Sequence, residues 1–284
     1  MLPNIGFSLQ GQYDRPVSEV IALLKKVGFS AVSPVWTPDL DLKLIAGCTS
    51  AQGMTIQSLH APHKGIDLLW KPDTAAASEA QKNIIRSIDA CARFQIPILV
   101  MHGWQGLIYT FPDKPLDFRF FDRIVPYAKQ QGVSIAFENL EGEEYLAALM
   151  ARYRNQPHIG FCWDSGHDHC YPHKTDFLKQ YGDRLIMTHL NDNLGLRDAA
   201  GIPTGNDDLH FLPYDGNIDW NCTLSRLKNA PRQSVLNFEL KIRSISTDPK
   251  DLIYVTLSLE QFLEKAAIQA RKIATQYAVF MSQT

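Results

Sequence analysis

The chain has 284 residues, enough for one α/β barrel of about 250 residues or for two smaller domains. Hydrophobic residues make up 45%, as in ordinary globular proteins, and no apolar run approaches the about 20 residues that span a bilayer. The formal net charge of −2 excludes a general attraction to nucleic acid or to an anionic membrane.

Apolar runs alternate with helical patterns along the whole chain. The predicted strands are residues 5–9, 29–36, 54–59, 98–101, 133–137, 159–163, 185–188 and 235–238. A predicted helix follows each strand, at residues 16–27, 40–52, 75–94, 118–131, 143–153, 174–181, 220–227 and 252–277. Such alternation implies a parallel sheet, and eight units fit a closed (β/α)8 barrel, the TIM barrel.

An open, doubly wound sheet is the structural alternative, but the first turn carries no G-x-G-x-x-G motif. The sequence contains no low-complexity linker and no repeat, although a long excursion at residues 191–218 follows the seventh strand. We therefore predict that residues 1–284 form a single TIM-barrel domain.

Six of the eight predicted strands run into a histidine or an acidic residue. These are His60, His102, Glu138, Asp164, His189 and Glu239. A carboxylate or imidazole at the end of a buried strand is costly unless it binds something. Polar residues at the carboxyl ends of barrel strands belong to the active face. The pattern therefore predicts a metal or polar-substrate site at this mouth.

Alternation within the strands supports this interpretation, because side chains two residues apart share one face of a strand. Glu138 shares a face with Ser134 and Ala136, and Glu239 with Val235 and Asn237. Small, apolar or amide side chains thus lie below these acidic residues, as a packed barrel interior requires.

Other polar and aromatic residues allow more than one interpretation. Cys162 and Cys170 flank histidines, but their spacing does not fit a zinc finger, which favours buried thiols. Trp36 and Trp104 are predicted to form either the wall of the pocket or part of the core.

The five cysteines include no C-x-x-C pair, and their odd number favours reduced thiols in a cytoplasm. The N-terminus has no basic segment followed by an apolar core, so we expect no signal peptide.

Several short motifs bear on function. They read Phe137-Glu138-Asn139, Trp163-Asp164-Ser165-Gly166-His167, His189-Leu190-Asn191-Asp192, Asp208-Leu209-His210, Pro213-Tyr214-Asp215-Gly216-Asn217-Ile218-Asp219-Trp220 and Phe238-Glu239. Over nearly its whole length the chain resembles the xylose isomerase-like barrel superfamily. That superfamily holds sugar isomerases and epimerases, inosose dehydratases and apurinic-site nucleases of the endonuclease IV type. In the stretch from Pro213 to Gly216, relatives often have a more glycine-rich turn.

The resemblance implies that Glu138, Asp164, His189 and Glu239 bind one divalent ion. Three carboxylates and one imidazole suit Mn²⁺, Mg²⁺ or Co²⁺ more than a thiolate-preferring ion, and Zn²⁺ is also compatible. In the resembling epimerases, a pair such as Glu138 and Glu239 acts as acid and base on the two faces of a keto-sugar.

A pocket for the substrate is also expected at this mouth. The resemblance implies that His167 contacts substrate, and we expect His60, His102 and His210 to line the same pocket. The expected partner is a small-molecule sugar or sugar phosphate, with neither membrane nor nucleic acid. The oligomeric state is left open, and a homo-oligomer is compatible with the sequence.

The main alternative is a zinc-dependent nuclease of the endonuclease IV type, which binds three zinc ions. This chain has candidates for the additional ligands, namely His60, His102, His167, Asp208 and His210. The charge balance argues against it, because gripping a duplex requires several phosphate contacts. An inosose dehydratase-like lyase and a non-catalytic sugar-binding barrel are further alternatives, since barrels host many functions.

Overall fold

In the computed structural model, which describes residues 2–10, 13–244 and 246–282, parallel strands form the centre of the fold. They are β1 Asn4–Leu9, β2 Ala31–Pro34, β3 Thr55–Ile56, β4 Ser58–His60, β5 Ile98–His102, β6 Ser134–Glu138, β7 Ile159–Asp164, β8 Leu185–His189 and β9 Val235–Phe238. Backbone hydrogen bonds join them in the orders β3-β2-β1-β9 and β4-β5-β6-β7-β8.

Two seams join these sheets into a closed barrel. At the first, β3 and β4 are parts of one barrel strand interrupted at Gln57, and the Trp36 N–H donates to His60 O at 2.8 Å. At the second, the Leu190 N–H donates to Asn237 O at 2.9 Å, and the Glu239 N–H donates to Leu190 O at 3.1 Å. The predicted α/β TIM barrel is therefore confirmed.

Helices cover the outside of the barrel. They are α1 Val17–Val27, α2 Leu42–Ala51, α3 Ala75–Arg93, α4 Arg119–Gln130, α5 Glu143–Arg152, α6 Ser165–Cys170, α7 Phe177–Tyr181, α8 Trp220–Arg226 and α9 Leu259–Phe280. Their apolar faces are buried against the strands, as Phe121 and Ile124 of α4 illustrate. None of these helices, within the described part of the chain, is long and apolar enough to cross a membrane.

Side-chain caps account for the largest differences from the predicted helices. The last helix begins at Leu259 rather than at residue 252, because Ser258 and Gln261 form a capping box. The helix predicted at residues 174–181 begins at Phe177, since the Asp176 side chain caps it. The short helix α6 was not predicted. That residues 1–284 form one domain stays a prediction.

The capping box gives a first test of these helix boundaries. The Gln261 N–H donates to Ser258 Oγ at 3.2 Å, and the Ser258 N–H donates to Gln261 Oε1 at 2.9 Å. Replacing Ser258 with Ala should lower the free energy of unfolding by about 1 kcal/mol, measured by urea denaturation. Thr256→Ala, at an exposed position before the helix, is the control. Equal effects of the two substitutions would show that Ser258 does not set the helix start.

Candidate active site

Four side chains meet where the central strands end. Glu138, Asp164 and His189 are the last residues of β6, β7 and β8, and Glu239 directly follows β9. His189 Nδ1 lies 2.8 Å from Glu138 Oε1 and 2.7 Å from Glu239 Oε2. One ligand atom from each of the four residues lies within 4.8 Å of the other three. The structure thus brings the predicted metal ligands together.

This arrangement fits a divalent cation better than it fits a proton. Glu138, Asp164 and His189 are buried, and the Glu239 side chain is 12% exposed. A proton on His189 Nδ1 cannot satisfy two carboxylates, and Glu239 Oε2 has no hydrogen-bond donor among the described residues despite the close imidazole. Three carboxylates, two of them buried and the third nearly so, repel one another unless a positive charge lies between them. Carboxylate oxygens with one imidazole nitrogen suit a divalent ion.

The acidic groups differ in their electrostatics. Burial raises the pKa of Asp164 to about 6, and the charge of His167 lowers it only in part. Burial acts in the same direction on Glu138, but the charge of His189 and hydrogen bonds from neighbouring histidines hold the pKa of Glu138 well below its usual range. Burial also acts to raise the pKa of Glu239, but the interactions with His189 and the charge of His210 together lower it.

Two further histidines contact Glu138 from the other side. His60 Nε2 lies 3.1 Å and His102 Nε2 3.2 Å from Glu138 Oε2. His60 Nδ1 lies 2.7 Å from Ala61 O, so this nitrogen carries the proton that it donates. His60 Nε2 then needs a second proton, or a cation in its place, in order to face a carboxylate. His102 Nδ1 is buried without a hydrogen-bond partner among the described residues.

The excursion after β8 brings a second group to the mouth. His210 Nε2 lies 2.8 Å and His167 Nε2 3.6 Å from Asp208 Oδ2, and all three side chains are buried. Asp208 Oδ1 has no hydrogen-bond partner in the described part of the chain. His60, His102, His167 and His210 therefore surround the four predicted ligands, which is compatible with their predicted place in a substrate pocket.

The two tryptophans have well-defined neighbours. Trp36 is 7% exposed and packs in the hydrophobic core at the end of β2. The Trp104 indole stacks on Tyr145 with ring centroids 4.2 Å apart, and its Nε1–H donates to Gly106 O at 3.0 Å. A contact of either residue with substrate stays a prediction.

Sequence reasoning assigned no role to the asparagines that orient Asp164. Asn139 Nδ2 donates to Asp164 O at 2.9 Å, and the Asp164 N–H donates to Asn139 Oδ1 at 2.7 Å. Asn191 Nδ2 lies 2.9 Å from Asp164 Oδ2. A Cβ atom at Gly166 would lie 1.9 Å from Asn191 Oδ1, so only glycine leaves room for this amide. The sequence signal that could have identified them is their position, since Asn139 directly follows Glu138 and Asn191 lies two residues after His189.

Asp192 fixes the excursion that carries Asp208 and His210. Its Oδ1 accepts from the N–H groups of Asn193 and Ile218 at 2.9 and 3.1 Å. Its Oδ2 accepts from the Tyr214 N–H at 2.9 Å and from Trp220 Nε1 at 2.8 Å. This carboxylate is fully buried and ties both ends of the turn from Pro213 to Gly216 to the end of β8. The turn therefore depends on a side chain outside it.

The fold agrees with the comparisons. The chain belongs to the xylose isomerase-like TIM barrel family, whose model matches residues 21–260. The family covers most of the chain, including every residue of the site described above.

Particular relatives are more distant. The uncharacterized protein y4fM of Sinorhizobium fredii is 27% identical over 80% of this chain and 82% of its own length. The structure of an L-ribulose 3-epimerase matches with a TM-score of 0.71 at 15% identity. The match covers 100% of this chain and 97% of the epimerase chain. A fusion of a xylose isomerase-like TIM barrel with 4-hydroxyphenylpyruvate dioxygenase has a TM-score of 0.68 at 14% identity. This chain is covered fully and spans 44% of the fusion protein.

Asp192 gives a second test. Replacing it with Ala leaves four buried or half-buried donors without their acceptor, which should lower the free energy of unfolding by about 3 kcal/mol or more. Asp198→Ala is the matched control, because Asp198 is exposed and accepts only from the nearby N–H groups of Ala200 and Ile202. Urea denaturation measures both variants. If Asp192→Ala costs no more than Asp198→Ala, the excursion is held by other contacts.

Proposed function

We propose that this chain is a divalent-metal-dependent isomerase or epimerase of a keto-sugar or sugar phosphate. The reaction moves a proton at a carbon next to a carbonyl. The observation that carries the proposal is the convergence of Glu138 and Glu239 on His189 Nδ1, at 2.8 and 2.7 Å. Two carboxylates from β6 and the end of β9 thus flank one point of the barrel mouth, with β7 and β8 between them.

Glu138, Asp164, His189 and Glu239 would hold one divalent ion, Mn²⁺, Mg²⁺, Co²⁺ or Zn²⁺. When bound, such an ion supplies Lewis-acid chemistry, polarising a carbonyl and stabilising negative charge on its oxygen. Asn139 and Asn191 would keep Asp164 oriented, since a ligand held by further hydrogen bonds is preorganised.

The two glutamates would act as acid and base. One carboxylate removes the proton from carbon, and the other returns a proton from the opposite face, which inverts the centre. Return of the proton to the adjacent carbon would instead interconvert an aldose and a ketose. His60 and His102 orient Glu138, and Gln10 donates to Glu239 Oε1, so both carboxylates are positioned before substrate arrives. His167 and His210 would then contact substrate hydroxyl groups.

Other support for the proposal is of a coarser kind. The similarity to L-ribulose 3-epimerase supports a barrel suited to sugars at the level of the fold. The five cysteines are free thiols, which supports our proposal of a cytoplasmic location. A small-molecule sugar as partner stays a prediction. A homo-oligomeric state and an inosose dehydratase-like lyase activity stay open alternatives.

Proton transfer is tested most directly in D₂O. A carboxylate base exchanges its proton with solvent, so incubation of ketoses with the metal-loaded protein should place deuterium on the reacting carbon. Glu138→Gln should reduce this exchange by about 10²-fold or more, because it removes the base or a metal ligand. Glu264→Gln, at an exposed position on α9, is the control. NMR spectroscopy measures the exchange, and undiminished exchange by Glu138→Gln would exclude this residue from catalysis.

A second candidate function is favoured by a specific observation. His167, Asp208 and His210 form a separate group that could hold a metal ion, and His60 forms a further group with Glu138 and His189 of the main site. Several metal ions at one mouth are typical of enzymes that hydrolyse phosphate esters. A zinc-dependent apurinic-site nuclease is therefore the alternative, although the net charge of −2 offers no general grip on DNA.

The number of bound zinc ions separates the two functions. We expect one zinc ion per chain after zinc loading, no nicking of abasic DNA, and unchanged zinc content in Asp208→Asn, because the second group would contact substrate rather than metal. Elemental analysis gives the zinc content, with Asp198→Asn as the control. Three zinc ions in the natural protein, fewer in Asp208→Asn, and cleavage of abasic DNA would replace the sugar enzyme with the nuclease.

A further inference from the structure

We infer that the substrate carries an anionic group, either a phosphate or a carboxylate, and that Lys241 binds this group at the rim of the barrel mouth. The inference rests on the proposed function, because it names the substrate class of the same site. Lys241 has no part in the acid–base chemistry or in metal binding described above. Its role would be to bind a part of the substrate away from the reacting carbon.

Lys241 lies close in the chain to the glutamate that follows β9. Asn237 points into the barrel, where its Nδ2 donates to Ser8 Oγ at 2.7 Å. Glu239, two residues further, reaches His189, and Leu240 after it is 1% exposed in the core. Lys241 follows next, three residues beyond the end of β9. Its backbone N–H donates to His210 O at 3.1 Å, which fixes the chain beside the second group of the mouth.

Lys241 is a cation without an acidic partner. Its side chain is half-buried, and no carboxylate within the described ranges forms an ion pair with it. Two neighbouring cations on this side of the barrel are paired, Arg15 with Glu260 at 2.9 Å and Arg243 with Asp14. A partly desolvated ammonium group gains from an anion that arrives with the substrate.

His63 lies in the loop that follows β4, close to the histidines of the mouth. Its ring stacks on that of His102, with ring centroids 6.3 Å apart. The pKa of His63 is lowered, mainly because burial removes hydration from its ring. Electrostatic interactions with His102, His60 and Lys241 lower it further. An anion bound by Lys241 would lie at the edge of the pocket that the histidines line.

The carboxylates of the site contact histidines and form no ion pair with Lys241 within the described ranges. Glu239 is directed to His189, and Asp208 is directed to His210 and His167. The positive charge at the rim is therefore left for a ligand, whereas the interior of the site is acidic and suits a cation. A sugar bearing one terminal anion matches both regions. Its polyol end would lie at the carboxylates and its charged end at Lys241.

The test uses metal-loaded protein and matched ketoses. Each ketopentose and ketohexose is supplied neutral, phosphorylated on its terminal hydroxyl, or oxidised to a carboxylate at its terminal carbon. Deuterium exchange in D₂O gives kcat and KM for the natural protein, Lys241→Met, Lys241→Arg and the exposed control Lys129→Met. Inorganic phosphate binding is measured in parallel by isothermal titration calorimetry.

We expect the natural protein to prefer one of the two anionic series, which identifies the group as phosphate or carboxylate. Lys241→Met should raise KM for that series by about 10- to 100-fold with little change in kcat, as loss of a charge-assisted contact remote from the reacting carbon predicts. Lys241→Arg should keep most of the preference, and Lys129→Met all of it.

A preference for neutral ketoses, or a preference that Lys241→Met retains, would overturn the inference while the proposed function stands. If no ketose of any series exchanges, the proposed function fails. In that case the titration with inorganic phosphate tests separately whether Lys241 binds an anion. Weaker phosphate binding in Lys241→Met than in Lys129→Met supports an anion site, and equal binding overturns it.

Discussion

The site depends on one constraint, which is that three carboxylates are buried around a single imidazole. Glu138 and Glu239 both reach His189 Nδ1, and Asp164 lies beside them. Buried negative charges at such distances are tolerated only with compensating positive charge. The surrounding histidines supply part of it, as the lowered pKa of Glu138 shows. A divalent cation would supply the rest, and this requirement ties the metal, the fold and the proposed chemistry together.

The barrel keeps these carboxylates together because it holds each acidic residue at the rigid end of a strand. Behind these residues lies a layer of amides and one buried aspartate. Asn139 and Asn191 orient Asp164, and Asp192 ties the excursion after β8 to the barrel. The excursion in turn places His210 beside the carboxylates, and Lys241 is bonded to the backbone of His210. The proposed catalytic, substrate and anion positions are thus connected through hydrogen bonds between neighbouring segments.

Strand ends were predictable from the sequence because apolar runs stop abruptly at charged residues. The burial of Glu138 and Asp164 followed from that pattern alone. The asparagines could not be assigned in this way, because an amide after a strand is common and its partner is distant in sequence. The predicted start of α9 at residue 252 was wrong. The apolar residues after Leu252 fit a helical pattern, but the Ser258 side chain caps the helix and makes it begin at Leu259. The interruption at Gln57 likewise leaves no trace in the hydrophobic pattern.

The central claim is that these four residues bind one divalent ion, and equilibrium dialysis tests it most directly. Metal-depleted natural protein and Glu239→Gln are dialysed against increasing Mn²⁺, and bound metal is measured by elemental analysis. We expect one ion per natural chain and an affinity at least about tenfold lower in Glu239→Gln, since a charged ligand becomes neutral. Equal Mn²⁺ binding by the two proteins, or none by the natural protein, would contradict it.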